Sequence, residues 1–275
     1  MTRVKHADRN RWALVTGASA GIGAEFCRQL AAMDYSIVLV ARREDRLQEL
    51  AADLVSQYGI ECRCFPADLA RPEAGRELAD RLAQDNIEIE FLVNNAGYGV
   101  PGTFTEASWQ SHADSLQVML TSVCELTWLL LPAMQRNRKG YIVHVSSLAG
   151  LVPGSAKHTL YGATKAFLIK FAQSLAMENL DNGVSVSALC PGFTYTEFHD
   201  VLGLRDQVDE MPAWMWMDAT DVVRFGIESV TQEKPRIVAV PGRANRFIAT
   251  LAKQLPSRLT QALTQRQSRR WRKQD

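Results

Sequence analysis

The segment Thr16-Gly17-Ala18-Ser19-Ala20-Gly21-Ile22-Gly23 decides the fold, because it joins a short β-rich run to a segment of helical periodicity. The run before it is Trp12–Thr16, and the periodic segment is 22–33. Glycines permit a tight turn and let the main chain approach a phosphate without an intervening Cβ. The free N–H groups at the start of the next helix would face the same phosphate. At a strand-to-helix junction, this spacing predicts a nucleotide-binding turn.

The same alternation of short apolar runs and long helical patterns continues along the chain. Further strands are predicted at 36–40, 62–65, 91–94, 141–145, 184–189 and 237–240, and helices at 44–58, 71–84, 107–134 and 160–181. Continuous Val, Ile and Leu runs indicate strands that are covered on both faces. We therefore expect an α/β, Rossmann-like, doubly wound parallel sheet of seven strands in the order 3-2-1-4-5-6-7, with helices on both faces.

The composition is that of an ordinary globular chain. Of 275 residues, 47% are hydrophobic and 22% charged, and the formal net charge is +1, which excludes disordered, collagen-like and coiled-coil proteins. We expect one domain over 1–275, with a polar N-terminal tail at 1–10, a substrate lid at about 198–217 and a basic amphipathic C-terminal extension at about 244–275.

The cellular location is expected to be cytoplasmic. No apolar run approaches about 18 residues, and the N-terminus lacks an apolar signal segment. The five cysteines at scattered spacings favour a reducing compartment. Residues 234–275 nevertheless hold 11 Lys and Arg against one acid, so peripheral contact with an anionic membrane is a second hypothesis. The alternative is that this segment packs on the body with its basic face solvated.

Two arginines, Arg42 and Arg43, follow the second predicted strand, where a site for NAD would hold a carboxylate. Guanidinium groups bind a phosphate through charge-assisted, bidentate hydrogen bonds. The pair therefore predicts NADP(H) rather than NAD(H), with Arg42 the stronger candidate. The alternative is a solvated arginine pair at the start of a charged helix.

A tyrosine and a lysine stand four residues apart in Tyr161-Gly162-Ala163-Thr164-Lys165, which places both on one helix face. A nearby ammonium stabilises a phenolate, so we expect Lys165 to lower the pKa of Tyr161. The pair could then exchange a proton near neutral pH. Ser146 and Ser147, just after the fifth predicted strand, could bond a carbonyl oxygen.

These features resemble the short-chain dehydrogenase/reductase family, in its compact single-domain branch. The resemblance covers about residues 10–200, and the remainder matches only loosely. The other matching motifs, in family order, are Asp68-Leu69 after the third strand, Asn94-Asn95-Ala96-Gly97 after the fourth, Ser147 after the fifth and Pro191-Gly192-Phe193-Thr194-Tyr195-Thr196 after the sixth.

The resemblance implies an oxidoreductase that reduces a carbonyl group, or oxidises the alcohol, by hydride transfer. Tyr161 would be the acid–base group, Lys165 would also hold the nicotinamide ribose, and Ser147 would position the substrate oxygen. Ser146 remains an alternative, because the Ser147-to-Tyr161 interval of 14 is one longer than expected.

The resemblance also implies a set of cofactor-binding positions. Asp68 would contact the adenine, Asn94 the adenosine ribose, and Thr194 and Thr196 the nicotinamide carboxamide or the pyrophosphate. The full set is Gly17, Ser19, Ala20, Gly21, Ile22, Gly23, Arg42, Arg43, Asp68, Leu69, Asn94, Ala96, Gly97, Tyr161, Lys165, Pro191, Gly192, Thr194 and Thr196.

One departure from the family concerns Met119, which stands where the pattern usually has Asn. That Asn is expected to hold a water that links Lys165 to solvent, and a thioether cannot donate a hydrogen bond. Three interpretations stay open: Ser115 or Ser122 supports the water, turnover is slow, or the protein binds nucleotide without catalysis. In the last case the chain would be a nucleotide-binding protein that docks to a membrane or partner.

The predicted substrate is a hydrophobic ketone or aldehyde, because the lid is rich in apolar side chains. Its expected contacts are Ser147, Tyr161, Phe198 and Trp214, with Gly99, Val100 and Pro101 near the mouth. The family resemblance adds a homodimer or tetramer formed through the two long helices. We predict no metal site, and no nucleic-acid binding because aromatic residues are sparse in the basic extension.

Overall fold

The central sheet is parallel, as predicted. The computed structural model describes residues 11–157, 159–196 and 212–254. Its strands are β1 (Trp12–Thr16), β2 (Ser36–Ala41), β3 (Cys62–Pro66), β4 (Ile89–Asn94), β5 (Gly140–Val145), β6 (Val184–Leu189), β7 (Phe193–Tyr195), β8 (Trp216–Asp218) and β9 (Val238–Ala239). The main sheet has seven strands in the order β3-β2-β1-β4-β5-β6-β9, which confirms the predicted fold class.

Helices cover both faces of this sheet. They are α1 (Gly21–Ala32), α2 (Glu44–Tyr58), α3 (Ala74–Gln84), α4 (Trp109–Leu116), α5 (Ser122–Arg136), α6 (Thr159–Glu178), α7 (Ala219–Thr231) and α8 (Arg243–Gln254). The helix predicted at 107–134 is interrupted by a π-helical turn at Gln117–Thr121, which joins α4 to α5. Such turns insert an extra residue and recur at functional sites.

Two apolar layers enclose the strands. Successive residues of β1 alternate between them: Ala13 and Val15 pack with α1, α2 and α7, whereas Trp12 and Leu14 pack with α3, α5 and α6. All of these side chains are buried, which explains why β1 reads as a continuous apolar run. The carboxyl ends of β1, β4, β5 and β6 consequently meet at one edge, where open α/β sheets bind ligands.

A second, two-stranded sheet was not predicted. β7 pairs in parallel with β8, and the ring of Tyr195 stacks on Trp216 at a centroid distance of 4.7 Å. This pairing joins the end of the predicted lid to the segment after β6. The rest of that lid at 198–211, the tail at 1–10 and the extension at 255–275 lie outside the described residues, as does Phe198.

One helix in the described part of the chain is long and apolar enough to cross a membrane. It runs over Trp109–Arg136, with a mean hydropathy of 1.4 in its most apolar window. This corrects the prediction that no segment reaches that length. Leu126, Leu130 and Met134 of this helix are buried against the sheet layer, and 39% of its most apolar window is buried in the fold.

Candidate active site

Three positions of the Gly-rich turn between β1 and α1 favour glycine over every other residue. Gly17 and Gly21 have φ angles of 67° and 52°, in the left-handed region that side chains disfavour. A Cβ on Gly23 would lie 2.2 Å from the carbonyl oxygen of Gly17. No side chain caps the N-terminus of α1 at Ala20, so its free N–H groups remain available to an anion.

Neighbouring loops hold this turn in place. The main-chain N–H groups of Asn95 and Ala96 donate to the Thr16 hydroxyl at 2.9 and 3.0 Å. The Asn95 side chain donates to the Thr16 carbonyl at 2.9 Å. From the segment after β6, Thr196 lies so close to Gly21 that an added Cβ would be 3.1 Å from it. The predicted motifs therefore converge around one turn.

The two arginines after β2 have different surroundings. Arg43 donates to the Ser19 hydroxyl of the Gly-rich turn, with Nη2 to Oγ at 3.1 Å. Arg42 is exposed, and its charge lowers the pKa of Tyr98, although burial of that phenol raises it more. Asp68 is exposed near the same phenol and accepts a hydrogen bond from the Ala70 N–H at 3.1 Å.

Several predicted cofactor positions have side chains that are engaged within the protein. The Asn94 amide bonds to His144 at 3.1 Å and Thr127 at 3.2 Å, so any contact with a ribose must come from its main chain. Leu69 is buried in a small cluster with Met119. Thr194 is also buried, and its hydroxyl donates to the Gly192 carbonyl at 3.2 Å.

The segment Pro191–Gly192 lies directly behind the serine loop. The Pro191 carbonyl accepts a 2.8 Å hydrogen bond from the N–H of Leu148. A Cβ on Gly192 would lie 2.6 Å from the buried side chain of Asn245. Close packing therefore brings the segment after β6 against the end of β5.

Tyr161 and Lys165 face each other on α6. The Lys165 Nζ lies 5.5 Å from the centroid of the Tyr161 ring and donates to the Val145 carbonyl at 2.8 Å. The Ser147 hydroxyl forms a hydrogen bond with the Tyr161 phenol and also accepts one from the Ala149 N–H at 3.1 Å. Tyrosine, lysine and serine thus form one cluster at the carboxyl end of β5.

The two adjacent serines have different partners. Ser146 is buried, and its hydroxyl donates to the Lys165 carbonyl at 2.7 Å, which fixes α6 against β5. Ser147 is the serine that reaches the phenol of Tyr161. The geometry therefore favours Ser147 over Ser146 as the serine that positions the substrate oxygen.

Burial shifts the pKa of both groups in this pair. It lowers the pKa of Lys165 to about 8, because an ammonium loses hydration inside the protein. Burial also raises the pKa of Tyr161, and the hydrogen bond from Ser147 only partly opposes it. This corrects the expectation of a lowered tyrosine pKa. At pH 7 the phenol is therefore neutral and able to donate a proton.

Met119 lies in the π-helical turn, directly beside the lysine. A Cβ added to Gly97 would meet the Met119 Sδ at 3.2 Å and the Lys165 Nζ at 3.6 Å. Of the two neighbouring serines, Ser122 donates to the Val118 carbonyl at 2.8 Å. Ser115 has no hydrogen-bond partner for its hydroxyl among the described residues, so it is the serine still available to hold a water.

Tyr161 lines a small cleft that is open to solvent. Gly99, Val100 and Pro101 line it, as the sequence predicted. Sequence reasoning missed its other lining residues, which are Gly102, Phe104, His112, Ser115, Lys157, Thr159 and Leu160. Trp214, predicted to contact substrate, is 65% exposed and does not line this cleft.

Comparison with known proteins places these features in one family. A family model described as short chain dehydrogenase matches residues 11–206. The chain belongs to the short-chain dehydrogenase family. The matched range contains the Gly-rich turn, Ser147, Tyr161 and Lys165. Family membership thus agrees with the resemblance drawn from its motifs.

Its relatives include proteins with named activities. It is 33% identical over 196 residues to the very-long-chain 3-oxoacyl-CoA reductase of Anas platyrhynchos, covering 69% of this chain and 62% of that protein. It is 37% identical over 203 residues to nodulation protein G of Rhizobium sp. (strain N33), covering 74% of this chain and 81% of that protein. This short-chain dehydrogenase therefore spans less than two thirds of the length of the first of these relatives.

Solved structures give the same fold. A short-chain dehydrogenase from Sphingobium yanoikuyae in complex with NADPH has a TM-score of 0.77 and 29% identity, covering 90% of this chain and 97% of that one. A bulky-bulky ketone specific alcohol dehydrogenase from Comamonas testosteroni has a TM-score of 0.74 and 27% identity, covering 91% of this chain and 96% of that one. The family and these neighbours together support a nicotinamide cofactor.

Proposed function

We propose that this protein reduces the carbonyl group of an apolar substrate with NADPH, or oxidises the corresponding alcohol with NADP⁺. The observation that carries the proposal is the cluster of Ser147, Tyr161 and Lys165, whose tyrosine lines a mostly apolar cleft. The Gly-rich turn, which has the geometry of a phosphate cradle, lies at the same sheet edge.

Each member of the cluster has a separate task. Tyr161, neutral at pH 7 because burial raises its pKa, donates a proton to the substrate oxygen as negative charge develops there. Ser147 holds that oxygen with its hydroxyl. The Lys165 ammonium stabilises the phenolate that remains. The bound nicotinamide supplies the hydride.

The preference for NADP(H) rests on the arginines after β2. Arg43 already donates to the Ser19 hydroxyl of the Gly-rich turn, and Arg42, the next residue before it, is exposed. A guanidinium pair in this place suits the 2′-phosphate, and the NADPH complex of the Sphingobium protein supports this choice. The test is a comparison of KM for NADPH and NADH, and a clear NADH preference would refute it.

The apolar character of the substrate rests on the cleft. Its side chains include Val100, Pro101, Phe104 and Leu160. Two similar proteins, named for very-long-chain 3-oxoacyl-CoA reduction and for bulky ketones, support a large hydrophobic carbonyl compound.

A screen of NADPH oxidation over ketones of graded size and polarity tests the proposed function. Tyr161→Phe should abolish oxidation with every active ketone, because the proton donor is lost. Tyr58→Phe is the matched control, since Tyr58 is the last residue of α2, packs at the edge of the core and does not line the cleft. Activity that survives in Tyr161→Phe would refute the proposed mechanism.

A second candidate is nucleotide binding without catalysis, and Met119 is the observation that favours it. Its thioether lies beside Lys165, where a proton relay would need a polar group. Tight NADPH binding by calorimetry, with no oxidation by any ketone, would support this candidate. Turnover that depends on Tyr161 would exclude it.

A second copy of the chain is the proposed protein partner. Trp128 on α5 and Phe167, Met177 and Leu180 on or after α6 expose large apolar surfaces. Apolar patches of this kind mark interaction sites. Light scattering should report the mass of a dimer or tetramer. The Trp128→Glu substitution places a charge on this apolar surface and should shift the oligomeric state toward the monomer.

Membrane contact through the basic extension remains a separate proposal. In the described part of that extension, Arg246 and Lys253 are exposed on α8 while Asn245 and Ala249 face the body. Co-sedimentation of the full chain and of residues 1–244 with anionic vesicles tests it. If the two proteins co-sediment with the vesicles to the same extent, the basic extension does not mediate membrane contact.

A further inference from the structure

His112 presents a buried ring nitrogen without a partner at the side of the cleft. The residue is 6% exposed, and no described group bonds to its Nδ1. Its Nε2 lies 2.9 Å from the Phe104 carbonyl oxygen, which can only accept, so Nε2 carries the proton. In the neutral ring, Nδ1 is therefore a bare acceptor. The Phe104 ring stacks on the imidazole at 4.9 Å and fixes its orientation.

Ser115 lies one helical turn further along α4 and lines the same cleft. It is 1% exposed, and its hydroxyl has no hydrogen-bond partner in the described part of the chain. Residues three apart on a helix share a face, so the hydroxyl and the imidazole are neighbours. A buried polar group without a partner is unfavourable unless a ligand or a water satisfies it.

The two groups together select one kind of ligand group. An alkyl chain satisfies neither, and a carbonyl oxygen satisfies only the donor on Ser115. A hydroxyl can donate to the His112 Nδ1 and accept from the Ser115 hydroxyl at the same time. The remaining walls are mostly apolar and include Val100 and Leu160, which suit a carbon skeleton. Lys157 and Thr159 are polar residues of the same lining.

We propose that His112 and Ser115 form a specificity clamp for a second hydroxyl group on the substrate. The substrate class is then an apolar ketone or aldehyde that carries a hydroxyl at a distance from the reacting carbonyl. The inference rests on the proposed function, because it takes Tyr161 as the group that meets the carbonyl. His112 and Ser115 act on binding and orientation and do not exchange the proton that Tyr161 donates.

The test uses a straight-chain methyl ketone and its analogues with one hydroxyl at successive carbons. For the wild-type chain we expect at least one hydroxyketone to exceed the parent about tenfold or more in kcat/KM, because only it pairs both buried groups. Calorimetric binding of the same compounds to the NADP⁺ complex should show the same preference in Kd. This second readout does not depend on turnover.

Three variants separate the clamp from general damage. Ser115→Ala removes a hydroxyl that has no protein partner. His112→Phe keeps a flat ring that can stack on Phe104 and removes the Nδ1 acceptor together with the Nε2 donor. Gln110→Ala, on the exposed side of α4, is the control. The ratio of kcat/KM for the preferred hydroxyketone to that for its parent ketone should fall at least about fivefold in the Ser115 and His112 variants. The same ratio should persist in Gln110→Ala.

Two outcomes would overturn the clamp. One is that no hydroxyketone exceeds its parent by more than about twofold in either kcat/KM or Kd. The other is that the preference survives in both Ser115→Ala and His112→Phe. A failure of the proposed function looks different: no ketone is reduced at all, while the preference in Kd still reports on the clamp.

Discussion

The Lys165 Nζ lies 5.5 Å from the centroid of the Tyr161 ring, while its hydrogen bond goes to the Val145 carbonyl at 2.8 Å. The lysine therefore faces the phenol ring while its own hydrogen bond goes to the main chain at the end of β5. Burial keeps the phenol protonated at neutral pH. A protonated phenol is the form that the proposed reduction needs.

The rate of reduction should depend on pH through Lys165, whose pKa burial lowers to about 8. Below that pH the ammonium is present, and above it the charge that stabilises the phenolate is lost. We expect kcat/KM, which reports the free enzyme, to be level up to about pH 7.5 and to fall up to about tenfold per unit above pH 8.

A variant that keeps the charge is the control for this profile. Lys165→Arg retains a positive group at these pH values, so its residual activity should not decline in the same range. A wild-type profile that stays flat to pH 10 would contradict the assigned role of the lysine.

The Gly-rich turn should not tolerate a side chain at Gly23. A Cβ there would lie 2.2 Å from the Gly17 carbonyl oxygen, so Gly23→Ala should lower the free energy of unfolding by about 1–3 kcal/mol and weaken NADPH binding. Gly154→Ala is the matched control, because nothing lies within 4 Å of its added Cβ. Urea denaturation and calorimetry provide the two measurements, and equal behaviour of the variants would contradict the packing argument.

Met119 should limit turnover, because its thioether stands beside Lys165 and cannot donate a hydrogen bond. We expect Met119→Asn to raise kcat about threefold or more, since an amide can hold a water there. Met119→Leu, of similar volume and also apolar, should leave kcat near the wild-type value. An unchanged kcat in Met119→Asn would mean that the thioether does not impair proton delivery.

His144 should make the fold sensitive to acid. Burial lowers its pKa to about 3, so the folded chain holds it neutral while the unfolded chain protonates it below about pH 6.5. The unfolded state then binds more protons, and stability falls as pH drops from 6.5 toward 3. Between pH 6.5 and 5 this contributes about 2 kcal/mol.

His144→Gln removes the titrating ring and tests this contribution. The free energy of unfolding, measured by urea at pH 6.5 and pH 5, should fall less in the variant than in the wild type. The difference between the two falls is the relevant quantity, because the substitution also changes stability at both pH values. If the free energy of unfolding falls by the same amount in the variant and in the wild type, His144 is not the cause of the acid sensitivity.

Much of the fold could be predicted because the determining signals are local. Continuous apolar runs such as Leu14 and Val15 identified buried parallel strands, and helical periodicity placed Tyr161 and Lys165 on one face. The β7–β8 pair could not be predicted, since three-residue strands from distant segments carry no periodicity.

The site could be predicted only in part, because its remaining features depend on tertiary contacts. Ser146 and Ser147 are adjacent in sequence, and only the packing of α6 shows which one meets the phenol. The direction of the Tyr161 pKa shift was wrong, because the burial that raises it follows from the assembled cleft. His112 and Ser115 carried no motif, and the loop containing Phe104 places them beside the cleft.

The measurement that tests the central claim most directly is the rate of NADPH oxidation by Tyr161→Phe with the best ketone from the screen, beside wild type and Tyr58→Phe. Loss of the proton donor should lower kcat about 10²–10⁴-fold, while the Kd for NADPH changes by less than about threefold. A Tyr161→Phe enzyme within tenfold of the wild-type kcat would contradict the account.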